Sequence, residues 1–174
     1  MRIPALLPCL LAAALPAFAD APPATGLDRL AEVLPGTWKT EGQTLDTKFT
    51  KAGPQRYTTV RDCWRDGDAY KCVFVVNGQL QLYDIISWHA GDGVYLMTQI
   101  TPQGRQPEFQ ISVKDDVWTF AQEIQTQDGH IVHYRIVRTY TAPVSAGYVY
   151  EYSDDGRQWT RMAEGTETRS DAGK

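Results

Sequence analysis

Three histidines, His89, His130 and His133, are the side chains most suited to metal or acid-base chemistry in this chain. His130 and His133 stand in the run "HIVH", and in a strand residues three apart point to opposite faces, so the two do not chelate one ion. Asp154-Asp155-Gly156 lacks the alternating acidic positions and closing glutamate of a calcium loop and reads as a hairpin tip. No Gly-x-Ser-x-Gly elbow occurs. Ser153, in "YSDDG", is suited to hydrogen bonding within its own turn. With no nucleophile, base and orienting group at a useful spacing, an enzymatic reading ranks last.

Two cysteines offer covalent chemistry of a structural kind. In "RDCWRDGDAYKC" a four-residue loop, Asp66 to Ala69, sets Arg65 against Tyr70 and Cys63 directly opposite Cys72. An oxidising compartment closes such a pair, with a stabilisation of about 2–3 kcal/mol. The close spacing and helix start of a redox pair are missing.

Two charges break the apolar pattern of their strands. Asp84 shares a face with Leu80, Leu82, Ile86 and Trp88 in "LQLYDIISW", and Arg138 shares one with Val132, Tyr134, Ile136 and Tyr140 in "HIVHYRIVRTY". A charge cannot stand unpaired in a dry core, so these two either pair or face a wet pocket. Tyr148, Tyr150 and Tyr152 also share one strand face. They serve either as packing or, with Asp84, Tyr134 and Arg138, as the lining of a cup for a small amphipathic ligand. Asp84, Tyr134, Arg138, Tyr148 and Tyr150 are therefore the candidate binding residues.

The elements that position them are strands. Runs rich in Val, Ile, Thr, Tyr and Trp fall near residues 37–43, 46–51, 56–65, 70–77, 80–88, 94–101, 108–114, 117–125, 130–141, 147–153 and 158–168, separated by turn signals such as "DGD", "NGQ", "AGDG" and "DDG". This spacing predicts one antiparallel meander, closed as a barrel or folded as a sandwich. Ahead of it, "LDRLAEVL" spaces Leu27, Leu30, Ala31 and Leu34 as one short helix stopped by Pro35-Gly36.

The chain opens "MRIPALLPCLLAAALPAFAD", with a basic start, a short apolar run and small residues before Asp20, the pattern of a secretory signal peptide cleaved after Ala19. Cys9 follows too short an apolar run, and a proline, to be a lipidation site. No later segment is apolar enough to span a bilayer. The formal net charge of −4 comes without any basic run or stripe, which argues against nucleic acid and anionic membrane as partners.

Helix, then "GTW", then a run of antiparallel strands, then a late basic residue in "ETR" resembles the lipocalin and wider calycin pattern. Trp118-Thr119-Phe120 and "EYSDDGRQW", Glu151 to Trp159, bring the likeness closest to an uncharacterised family of bacterial secreted lipocalin-like proteins. It covers most of Leu27 to Arg169. The resemblance implies an all-β, antiparallel up-and-down barrel of about 8–10 strands with one short N-terminal helix. It implies too that Arg169 packs over Trp38 at the barrel floor. A related ten-stranded family binds haem through one histidine. His133 is the candidate well inside a strand here but shares its polar face with Arg135, so no cofactor is expected and haem is the weaker alternative.

The expected organisation is a signal peptide over 1–19, a flexible leader over 20–26, the barrel domain over 27–169 and a disordered tail over 170–174. The expected function is an exported, periplasmic or extracellular bacterial protein that holds a small, partly apolar ligand in the barrel cup. The competing class is an envelope protein-interaction module, of inhibitor or immunity type, that acts through surface loops.

Overall fold

The computed structural model describes residues 25–142 and 144–170. The expected signal segment, most of the leader and nearly all of the tail lie outside them. Helix α1 (Thr25–Val33) is followed by β1 (Gly36–Thr44), β2 (Gly53–Asp66), β3 (Ala69–Val76), β4 (Gln79–His89), β5 (Val94–Thr101), β6 (Gly104–Arg105), β7 (Phe109–Lys114), β8 (Val117–Gln125), β9 (Ile131–Ala142), β10 (Ser145–Ser153) and β11 (Thr160–Arg169). Each long strand pairs antiparallel with the next along the chain, β5 pairs with β7 past the two-residue β6, and β1 pairs with β11 to close the ring. The result is an all-β, closed antiparallel barrel of ten long strands, of the lipocalin-like kind, as the strand spacing and the resemblance implied.

Closure leaves the ring no free edge, which is how an antiparallel sheet of this size avoids pairing with other chains. The helix end is sealed first. Leu27, Leu30, Val33 and Leu34 are buried and belong to one core cluster with Trp38, Tyr70, Ile86 and Trp118. Val33 fills the place expected of Ala31, which is exposed, because the buried stripe runs along 27, 30, 33 and 34. Gly36 has φ +113°, a conformation that L side chains rarely adopt, and it turns the chain from helix into β1. The turn brings the Trp38 indole N–H to the Leu34 carbonyl at 3.1 Å, so the polar tip of a wholly buried ring is satisfied by the helix end. This is the structural purpose of the Gly-x-Trp motif.

Three local expectations need correction. Residues 46–51 form a loop rather than a strand. The Thr47 hydroxyl accepts from the amides of Phe49 and Thr50, at 3.1 Å each, and Thr50 donates to the Leu45 carbonyl, so side chains take the backbone groups a ladder would have used. Leu80 is 58 % exposed instead of sharing the inner face of β4. The β3–β4 register shifts there, with Phe74 opposite Leu82 and Val75 opposite Leu80, and the extra residue Gln81 turns inward while Leu80 turns out. β11 begins at Thr160, because Asp155 accepts from the amides of Arg157 and Gln158 and from the Ser153 hydroxyl and holds the preceding residues in a turn.

The cysteines meet as the hairpin register requires. Cys63 and Cys72 are directly opposed, with Cα atoms 4.1 Å apart, and are disulfide-bonded. The pair lies on the inner face, with Cys72 fully buried in the core cluster.

Candidate functional site

The barrel encloses a cavity of about 430 Å³ that runs from Leu34 at the helix end towards Val76, Gln81 and Ile124 at the other. Its wall is mixed. Leu82, Ile86, Met97, Phe109, Phe120 and Ile136 give an apolar lining, and into it project Tyr57, Arg61, Asp84, Tyr134, Arg138, Tyr150 and Glu167. Four of the five candidate binding residues, Asp84, Tyr134, Arg138 and Tyr150, are therefore brought together from β4, β9 and β10.

Tyr148 is buried on the same face but does a different job. Gly42 and Gly165 stand opposite each other in the β1–β11 register, and the Tyr148 ring crosses them to donate its hydroxyl to Gln55 Oε1 at 2.6 Å. A Cβ on Gly165 would lie 2.7 Å from that hydroxyl and closer still to the Glu41 carbonyl, so only glycine leaves this trough open. Tyr148 is absent from the wall of the central cavity and packs across the inner sheet. Tyr152 lies beyond it, edge-on to Phe49 of the β1–β2 loop at 4.8 Å.

Glu167 and Arg61 are the charged cavity residues that sequence reasoning missed. Arg61 Nη2 donates to Glu167 Oε1 at 2.7 Å, and Arg138 Nη1 donates to Glu167 Oε2, so one carboxylate bridges two guanidinium groups. All three are inward-facing, with side-chain exposures of 1 % for Arg61, 2 % for Glu167 and 14 % for Arg138. A signal for Arg61 existed: Cys63 opposite Cys72 implies Arg61 opposite Phe74 two residues on, hence inward. For Glu167, the small residues Ala163 and Gly165, four and two positions earlier, mark the inner face of an otherwise polar strand.

Burial opposes the charge on Glu167, yet Arg138 and Arg61 hold its carboxyl below the usual glutamate range. Burial works against Arg138 as well, but the Glu167 carboxylate beside it keeps the guanidinium charged. Asp84 follows the opposite course. Desolvation pushes its carboxyl up to about 7, against a hydrogen bond from Gln99 and the charges of Arg138 and Arg61. Its Oδ1 has no hydrogen-bond partner among the described residues. Asp84 therefore does not pair with Arg138 as one of the two expected arrangements required; Glu167 has taken that position. Desolvation likewise raises Tyr57 to about 12 and Tyr134 further, so these two phenols are neutral donors at neutral pH.

At the floor, Trp38 and Arg169 stand opposite each other in the β1–β11 register. Arg169 Nη1 donates to the Glu32 carbonyl at 3.3 Å and so ties β11 to the helix. Arg61 reaches the indole, with its guanidinium carbon 5.0 Å from the ring centroid. His133 faces the outer wall, 3.2 Å from Glu123, and is not among the cavity residues. Nearby, Arg135 lies 3.8 Å over the Trp159 ring and bonds Glu151 at 2.7 Å, so Glu151 and Trp159 of the late motif flank a hairpin end whose turn Asp155 holds. Among the described residues no three histidine, cysteine or carboxylate side chains gather as a metal site, and no helix is long and apolar enough to cross a membrane.

These features define a closed antiparallel barrel with a polar cluster set inside a partly apolar cavity. No protein-family model and no curated protein matches the chain in sequence. Among solved structures it is similar to Rv2717c from M. tuberculosis, at 16 % identity and a TM-score of 0.48, over 87 % of this chain and 99 % of that one. It is also similar to a de novo designed fluorescence-activating beta barrel, at 17 % identity and a TM-score of 0.37, over 81 % of this chain and 97 % of that one. A third similar structure is EF1p2_mFAP2b bound to DFHBI, at 15 % identity and a TM-score of 0.39, over 83 % of this chain and all of that one.

Proposed function

We propose that the protein is an exported binding protein that holds a small, partly apolar molecule inside its barrel. The observation that supports this is the cavity of about 430 Å³, large enough for a small ligand and lined by apolar side chains with a few convergent polar groups. A barrel serving solely to present surface loops gains stability by filling such a space, because voids forfeit packing. Export is supported by the Cys63–Cys72 bond, a linkage that persists in oxidising compartments, and by the signal pattern of the first residues.

The test is native mass spectrometry of protein recovered from the cell envelope. A bound mass that is lost on denaturation is the expected result, and its identification would also expose haem. Apo protein from every preparation, together with a stable complex with another envelope protein, would transfer the function to the surface loops.

A further inference from the structure

The polar cluster inside the barrel is not balanced in charge. Two guanidinium groups share the single Glu167 carboxylate, which they keep ionised, while burial drives Asp84 towards its neutral form. Arg61 Nε and Nη1 are buried without hydrogen-bond partners among the described residues. Arg138 is the more accessible of the two arginines, and it lines the cavity together with Tyr57, Tyr134 and Tyr150. Tyr57, Tyr134 and Tyr150 line the same cavity as Arg138, and the Tyr134 and Tyr150 rings lie 6.4 Å apart, so a cation and hydroxyl donors stand on one wall. Leu82, Met97, Phe109, Phe120 and Ile124 supply an apolar surface around it.

Resting on the binding reading above, we infer that the ligand is an amphipathic monocarboxylate, with its head group at Arg138 among the hydroxyls of Tyr57, Tyr134 and Tyr150 and its apolar part along the cavity wall. An anion there completes the charge that Glu167 alone does not balance, and a carboxylate matches a guanidinium's planar donors. A cationic head group would meet two arginines. A neutral one would leave the excess charge buried and unanswered.

The experiment compares decanoate, decanol and decylammonium as competitors for N-phenylnaphthylamine, a neutral dye that brightens in apolar cavities, on the oxidised protein. Decanoate is expected to displace the dye at a concentration lower by roughly tenfold or more than decanol, the factor a charge-assisted hydrogen bond supplies. Decylammonium should be the weakest. Arg138→Gln is expected to bind the dye but to lose the preference for decanoate. If that variant does not fold, Tyr150→Phe, which leaves the ion cluster intact, should weaken decanoate by roughly threefold and leave decanol unchanged. Equal competition by decanoate and decanol, or preference for decylammonium, overturns the carboxylate assignment while the bound dye upholds the cup. Retained preference in Arg138→Gln overturns the head-group position. Failure of the dye and of all three competitors to bind removes the binding reading and this inference with it.

Discussion

Arg61 and Trp38 are stacked inside the barrel, the guanidinium carbon 5.0 Å from the indole centroid, while Arg61 Nη2 holds Glu167 at 2.7 Å. The floor tryptophan is thereby coupled through one side chain to the polar cluster that lines the cavity. Trp38→Ala should cost about 3–5 kcal/mol as a core truncation. It should also weaken ligand retention, because Arg61 loses the surface that orients it. Denaturant midpoint and ligand retention measured on the same variant check both effects; a stability loss with retention unchanged would separate the floor from the site.

Glu167 is the keystone of the ion cluster. Glu167→Gln leaves Arg61 and Arg138 facing one another without a carboxylate between them and should destabilise the fold by about 3–5 kcal/mol. Arg138→Met should cost less, since Glu167 keeps Arg61 as a partner. Urea unfolding of the two variants gives the order directly. The reverse order would place the burden of the cluster on Arg138.

Asp84 makes stability depend on pH. Its folded-state pKa of about 7 lies above the ordinary value of 3.8, so the folded chain holds this proton more tightly than the unfolded one. The contribution is complete below about 3.8 and is lost as pH rises through about 7. Glu167, held low, acts in the opposite sense and loses its contribution only as pH falls below the ordinary range. Wild type should therefore lose stability between about pH 5 and about pH 8, by on the order of 2–4 kcal/mol. Asp84→Asn should flatten that slope, which unfolding midpoints at several pH values will show. Parallel pH profiles in the two proteins would mean that Asp84 is ionised throughout.

Gly165→Ala should destabilise the barrel by roughly 1–3 kcal/mol or more, because its Cβ would strike the Glu41 carbonyl and the Gly42 Cα, both backbone atoms, as well as the Tyr148 hydroxyl. Gly147→Ala, on the neighbouring strand, meets nothing within 4 Å and should be neutral or slightly stabilising. Thermal melts of the pair test the trough; equal melting temperatures would refute it.

The disulfide should leave no free thiol from Cys63 or Cys72 in protein taken from the cell envelope. Its replacement by Cys63→Ala with Cys72→Ala should lower stability by about 2–3 kcal/mol. Thiol titration after denaturation reads the first, and two free thiols from these positions would count against export into an oxidising compartment.

Much of the fold was legible because it is local. The alternation of β4, β8 and β9 gave the inner faces, the hairpin loop gave the Cys63–Cys72 register, and Pro35-Gly36 ended the helix, each through contacts between residues near in sequence. Asp84 and Arg138 were visible as inward charges for the same reason. The sequence by itself therefore determined that charge enters the barrel. It did not determine what the charges meet. Leu80 faces out because a bulge at Gln81 shifts the pairing, and Thr47 and Thr50 divert the backbone of the β1–β2 loop into a turn. Glu167 reaches Arg138 and Arg61 because ring closure sets β11 beside β1 and β10, so that one side chain bridges β9 and β2 across the inner wall. Such a contact depends on which strands closure makes neighbours and on the register between them. Alternation along a strand fixes the face a side chain takes, and only the closed barrel decides which side chain it finds there.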